Sequence, residues 1–152
     1  KLPHQLVITG KANLSFSEIP AAITASPYRK EIELPGFVSD DDLPLYYAAA
    51  VVTAFPSYYE GFGLGVLESM QSGTPVVLGK ISSLPEVAGE AGHYVTPKNA
   101  TELARGLHEV ITDAKLRSKL SNLGLEQAKQ FSWKKMAQET YRVYQDVVKG
   151  QE

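Results

Sequence analysis

Short apolar runs stopped by glycine or proline alternate along this chain with longer stretches in which apolar residues recur every three or four positions. The run Gln5-Leu-Val-Ile-Thr-Gly10 has the character of a buried parallel strand, which is covered on both faces and so reads as continuously apolar. Glu31-Ile-Glu-Leu-Pro-Gly36 predicts a second, short strand closed by a Pro-Gly break. Ala50 to Phe55 predicts a third buried strand, Thr74-Pro-Val-Val-Leu78 a fourth, and His93-Tyr-Val-Thr96, after Gly92, a shorter fifth. Helices are predicted between them. Phe16 to Ala25 takes Ser15 or Ser17 as cap and is weakened or bounded by Pro20 and Pro27. Ser39-Asp-Asp-Asp42 supplies an N-cap and first-turn acids for a helix through Ala49. The glycine-dense turn Gly61 to Gly65 opens an apolar helix from Leu64 to Ser72, which Gly73 ends. Beyond Pro97 the periodicity is helical throughout: Asn99 or Thr101 opens a helix to Thr112, Asp113 caps one to about Gln130, and Ser132 caps the last, Trp133 to Val148. Strands alternating with helices imply one α/β domain, a Rossmann-like parallel sheet with helices on both faces.

Composition narrows the function classes. In 152 residues, 43% are hydrophobic and 21% charged, with a net charge of -2, an ordinary globular balance. No basic patch or stripe marks a nucleic-acid partner. The absence of cysteine excludes disulfides and thiolate metal sites and fits a reducing compartment, so a cytoplasmic location is expected. His4, His93 and His108 are scattered without metal-ligand spacing and are read as structural. The longest apolar run, Ala48 to Phe55, falls far short of the roughly 20 residues of a membrane span, and no signal peptide is visible. Lys1-Leu2-Pro3-His4 stands close to the first strand without an initiator Met, which reads as a fragment boundary. Asn99-Ala-Thr101 matches a glycosylation acceptor but is read as a helix cap.

The chemistry concentrates in Ser57-Tyr-Tyr-Glu60-Gly-Phe-Gly-Leu-Gly-Val-Leu-Glu68-Ser-Met-Gln-Ser-Gly73-Thr-Pro-Val-Val. The segment follows a buried strand and opens a helix, the context in which doubly wound sheets bind ligands beyond their strand C-termini. Gly61, Gly63 and Gly65 permit close backbone approach. The N–H groups of Gly63, Leu64 and Gly65 at the helix start form an anion site favoured by the helix dipole, and a diphosphate suits it. Glu68 lies about one turn into the helix and leans back toward its N-terminus, within reach of a vicinal diol such as a ribose. Glu60 precedes the helix, where a sugar attached to the diphosphate would project.

The Glu-x7-Glu arrangement from Glu60 to Glu68, with Gly-Phe-Gly between and Ser-Gly-Thr-Pro-Val-Val after, resembles the C-terminal domain of retaining, two-Rossmann-domain (GT-B) glycosyltransferases of the group 1 or family 4 type. Ile81-Ser-Ser-Leu-Pro-Glu-Val-Ala-Gly-Glu90, Phe131-Ser-Trp133 and Leu34-Pro-Gly-Phe-Val38 extend the likeness from about Leu6 to Val148. The resemblance implies a nucleoside diphosphate sugar donor, GDP-mannose or a UDP-hexose, used without an obligatory metal or other cofactor. It implies that Glu68 holds the ribose and that Glu60, the candidate catalytic residue, meets the donor sugar near the reacting centre. Backbone around Gly61, Phe62, Gly63, Leu64 and Gly65 would hold sugar and diphosphate, and Gly36, Phe37 and Val38 would touch the base. The acceptor, a polysaccharide, lipopolysaccharide or glycolipid, would bind an N-terminal domain absent from this chain, to which the final helix would cross back. The full enzyme would work in the cytoplasm, with peripheral contact at the inner face of the membrane.

The departure from the family pattern is upstream. Members have a strand, a Gly-Arg turn and a following Lys that bind the diphosphate, and this chain begins after that position. Lys11 and Lys80 follow glycines but do not occupy the slot. The first strand of the sheet is therefore expected to be missing, leaving a gap beside Leu6 to Ile8, and the fragment is expected to be inactive alone. A GT-B-fold nucleotide-sugar epimerase and a non-catalytic nucleotide-sugar-binding module stand as alternatives. Tyr46, Tyr47, Tyr58 and Tyr59 are read as packing residues, Glu86 as a first-turn helix acid, Trp133 as a core anchor of the last helix, and Lys115, Arg117 and Lys119 as a solvated helix face.

Overall fold

The computed structural model describes residues 2–11 and 18–150 and falls into two units, Lys1–Leu43 and Pro44–Glu152. In the first unit, strand β1 (Leu6–Thr9) pairs in parallel with β2 (Ile32–Gly36). Helix α1 (Glu18–Ala25) and a short 3-10 turn (Arg29–Glu31) connect them. Pro20 is the third residue of α1, inside the first turn, where its missing N–H deprives no intrahelical bond. The caps expected at Ser15 or Ser17 lie outside the described residues.

The second unit contains β3 (Thr53–Phe55), β4 (Val76–Gly79) and β5 (Gly92–Val95), bonded in parallel in that order. Helix α2 (Leu43–Ala49) stands before β3. Helices α3 (Leu64–Gln71), α4 (Leu84–Ala88), α5 (Ala100–Thr112), α6 (Ala114–Ala128) and α7 (Trp133–Lys149) complete the chain. β4 is buried at every residue, and its alternating side chains serve two cores. Val76 and Leu78 pack with Val66, Leu67 and Met70 of α3 and Leu84, Val87 and Ala88 of α4. Val77 packs the other way, with Val110 of α5 and Leu120 of α6. Helices thus cover both faces of this parallel sheet, as expected. The buried hydroxyls are satisfied: Thr53 Oγ1 and Ser69 Oγ lie 2.6 Å apart, and Ser69 Oγ donates to the Thr74 carbonyl at 3.2 Å.

Three caps form where the sequence puts them. Asn99 Oδ1 accepts from the Glu102 amide at 3.0 Å, Asp113 Oδ1 from Lys115 and Leu116 at 2.9 and 3.0 Å, and Ser132 Oγ from Lys135 at 3.1 Å. Five readings need correction. The acids Asp40, Asp41 and Asp42 lie ahead of Leu43, where α2 begins, although Ser39 does cap as expected: its Oγ accepts from the Asp42 amide at 3.2 Å and its carbonyl from the Leu43 amide at 2.9 Å. β3 is shorter than expected and only half-buried. β1 is not buried: Leu6 and Val7 are 52% and 42% exposed, since β2 is the only strand bonded to it among the described residues. Trp133 is 73% exposed and anchors nothing in the core; α7 buries none of its residues. Arg117 is no solvated residue, because its guanidinium donates to the carbonyls of Val110 and Ile111 at 3.3 and 2.8 Å. Those are last-turn acceptors of α5, where a cation also meets the negative end of the helix dipole.

Among the described residues the five strands are bonded as a pair, β1 with β2, and a triple, β3, β4 and β5. Among the described residues, no helix is long and apolar enough to cross a membrane.

Candidate functional site

Open parallel sheets place ligands beyond the C-terminal ends of their strands, and there the loops after β3, β4 and β5 converge. Gly79, the last residue of β4, enforces the convergence: a Cβ would lie 2.6 Å from Cγ of Pro97 and 3.2 Å from the Ser57 carbonyl oxygen. The turn between β3 and α3 carries Glu60, Gly61, Phe62 and Gly63. Gly63 caps α3 at φ 106, in the left-handed region that favours glycine. Gly63 has no side chain to cap the helix, so the first-turn amides at Leu64 and Gly65 and the positive end of the dipole face the turn.

The three glycines of the turn have different reasons to be glycine. At Gly63, besides φ, a Cβ would meet Cδ2 of Leu84 at 2.7 Å. At Gly65 it would meet the Phe55 ring at 2.9 Å and the Tyr47 hydroxyl at 3.1 Å, so Gly65 lets α3 pack against β3 and α2. At Gly61 it would meet nothing within 4 Å. Close approach of a ligand, the reason given from sequence for all three, is thus not what the protein itself demands at Gly65.

Glu60 is half-buried and held at both side chain and backbone. Ser57 Oγ donates to Glu60 Oε1 at 2.7 Å. The Glu60 amide donates to Ser82 Oγ at 3.3 Å, and Ser82 Oγ donates back to the Glu60 carbonyl. Phe62 meets Phe131 edge-on, with ring centroids 6.0 Å apart, which gives the Phe131-Ser-Trp133 motif a direct contact with the glycine turn. Glu68, the fifth residue of α3, is half-buried with Tyr47 beside it, the hydroxyl 3.4 Å from Oε2. Burial first, and then the Glu68 charge, push the Tyr47 phenol up to about 12, so it stays protonated and donates toward the carboxylate. Thr74 of the Ser-Gly-Thr-Pro motif fixes the same region by donating to the Tyr47 carbonyl at 2.6 Å.

Glu60, Gly61, Phe62, Gly63, Leu64, Gly65 and Glu68 therefore all lie along one turn and the first part of one helix. Gly36, Phe37 and Val38 belong to the other unit, at the end of β2, where Gly36 has φ 78 and Lys11 Nζ stands 4.8 Å over the Phe37 ring. Tyr58 and Tyr59 do not pack as expected: they are 69% and 80% exposed, and Lys98 Nζ lies 5.3 Å over Tyr58. Sequence reasoning missed the hydroxyls of Ser82 and Ser83 and the pairing of Tyr47 with Glu68. Separations of 21 to 23 residues leave no local periodicity to reveal them. Among the described residues no three His, Asp or Glu side chains group as a metal could use. His93 instead pairs with Glu109 at 3.1 Å.

A parallel sheet covered by helices on both faces, with a glycine turn opening a helix beyond the end of a strand, is the architecture of a doubly wound α/β domain. The family model described as "Glycosyl transferases group 1" matches residues 2–127, and the chain belongs to that family. It is 43% identical over 109 residues to the O-antigen chain mannosyltransferase B of Escherichia coli, covering 72% of this chain and 29% of that protein. An MMP alpha-(1->4)-mannosyltransferase of Mycolicibacterium hassiacum is 36% identical over 115 residues, 73% of this chain and 28% of the relative. Among solved structures, sucrose-phosphate synthase from Thermosynechococcus elongatus superposes with a TM-score of 0.87 at 26% identity, over 96% of this chain and 39% of that one. The chain thus spans under a third of the length of these curated relatives.

Proposed function

We propose that this chain is the donor-binding domain of a retaining hexosyltransferase, with a nucleoside diphosphate sugar as substrate. The observation that carries the reading is the uncapped start of α3 at Gly63, with Glu60 held on one side and Glu68 a turn inside the helix. The helix N-terminus stabilises the diphosphate, and most strongly the charge that develops on it as the glycosyl bond breaks. Glu68 accepts hydrogen bonds from the ribose diol. Glu60 meets the donor sugar near the reacting carbon. Two mannosyltransferases among the relatives favour a mannosyl donor, GDP-mannose, ahead of a UDP-hexose. The O-antigen relative favours a polysaccharide, lipopolysaccharide or glycolipid acceptor.

The acceptor site and the diphosphate-binding basic pair belong, in this reading, to an N-terminal part of the same enzyme. A strand from that part pairs with the other edge of β1, to which β2 alone is bonded among the described residues. The 152 residues alone then transfer no sugar. Metal is not required, so transfer by the complete enzyme should survive chelation with EDTA.

The test is calorimetric titration of the complete enzyme with GDP-mannose, UDP-glucose and ADP-glucose, repeated with Glu68→Ala. Loss of a charged hydrogen bond to the ribose should weaken binding by on the order of 1.5–3 kcal/mol. An unchanged affinity would remove Glu68 from its role. Sugar transfer by the 152 residues alone would overturn the division of labour.

A further inference from the structure

Three consecutive residues after β4 grip the Glu60 turn from outside. Ser82 Oγ accepts from the Glu60 amide at 3.3 Å and donates to the Glu60 carbonyl, so one hydroxyl serves both backbone groups of one residue. Ser83 Oγ donates to the Phe62 carbonyl at 2.8 Å and reaches the Glu60 carbonyl at 3.2 Å. Leu84 closes the row, its Cδ2 filling the space where Gly63 lacks a Cβ. Ser82 adopts this position at φ 48, the one non-glycine residue with positive φ among the described residues. A serine there is strained where glycine would not be, and such outliers persist only where the surroundings hold them. Ser82 is exposed and Ser83 half-buried, so water is a ready partner for the first, yet both hydroxyls are turned onto the backbone of the same turn.

We propose that Ser82 and Ser83 are positioning residues for the transfer reaction, clamping the backbone of residues 60–62 so that the Glu60 carboxylate is preset toward the donor sugar. The proposal rests on the reading of Glu60 as a donor contact given above. Ser57 fixes the carboxylate through Oε1, and the clamp fixes the main chain from which that carboxylate springs. Without the clamp the glycine at position 61, in open space, gives the turn room to swing. Preorganisation of this kind acts on the chemical step more than on nucleotide affinity, because neither serine bonds Glu68 or the amides of Leu64 and Gly65.

The experiment measures kcat and donor KM in the complete enzyme, together with Tm, for Ser82→Gly, Ser83→Ala, Ser83→Thr and Glu60→Gln. Ser82→Gly removes the hydroxyl while relieving the strained φ, so Tm should hold or rise; kcat should nonetheless fall about tenfold with donor KM within about twofold. Ser83→Ala should lower kcat by a similar factor, and Ser83→Thr, which keeps the hydroxyl, should restore it. In the Glu60→Gln background, adding Ser82→Gly should cost no further activity, since the clamp acts through Glu60. The proposal is overturned if Ser82→Gly and Ser83→Ala leave kcat unchanged while Glu60→Gln lowers it, and the donor-site reading then survives. It is equally overturned if the serine effects multiply with Glu60→Gln or merely follow a fall in Tm. An unchanged kcat in Glu60→Gln sinks the role given to Glu60, and the clamp with it.

Discussion

β1 and β4 are both four-residue strands, Leu-Val-Ile-Thr and Val-Val-Leu-Gly, and both have parallel partners, yet their surroundings are opposite. Every residue of β4 is buried between two strands and two layers of helix. In β1 only Ile8 is even half-buried, and one strand is bonded to it. An apolar run states what a strand needs for stability. Whether the need is met depends on what is placed over it. Burial of a large aliphatic side chain is worth roughly 1.5–3 kcal/mol, so β4 stabilises its unit while β1, on its own, leaves that energy unrealised.

Truncation is the sharpest way to break this contrast. Leu78→Ala in β4 should lower unfolding free energy by about 2–5 kcal/mol, whereas Leu6→Ala in β1 should stay within about 0.5 kcal/mol. Denaturant melts of both variants decide it: equal losses would mean that β1 is covered after all. A cap offers an intermediate, purely local effect. Asn99→Ala should cost about 1 kcal/mol through the lost bond to the Glu102 amide, whatever covers the rest of the domain. The smallest expected effect is a change of slope with pH. The Tyr47 phenol is raised to about 12 in the folded protein from an unfolded value of 10.0, so its contribution is fully present below pH 10 and is lost as pH rises toward 12. Tyr94, also raised by burial, adds to the same alkaline decline. Tyr47→Phe should therefore flatten, but not abolish, the fall in Tm above pH 10; an identical slope would show that the Tyr47 phenol is not raised by folding.

The most legible features were the shortest in range. Asn99, Asp113 and Ser132 were readable as caps because each bonds an amide two or three residues away. The positions of Glu60 before α3 and Glu68 within it were readable because the motif between them spans one turn and one helix. Ser39 is as local: its Oγ accepts from the Asp42 amide three residues on, and only the start of α2, at Leu43, falls later than expected. Trp133 and Arg117 exchanged their expected environments. A large aromatic can be left exposed when nothing packs on its helix, and a cation can be drawn in by carbonyls left open at the end of a neighbouring helix.

From the sequence alone followed the alternation of strands and helices, their caps, the glycine turn that opens α3 and the two acids beside it. All of these depend on conformational preference and hydrogen bonding within a few residues. Only the tertiary structure decided that β4 is buried and β1 is not, that Tyr47 stands by Glu68, and that Ser82 and Ser83 hold the Glu60 backbone. Those contacts join residues far apart in the chain, and their energies exist only once folding has brought the partners together and removed the water between them.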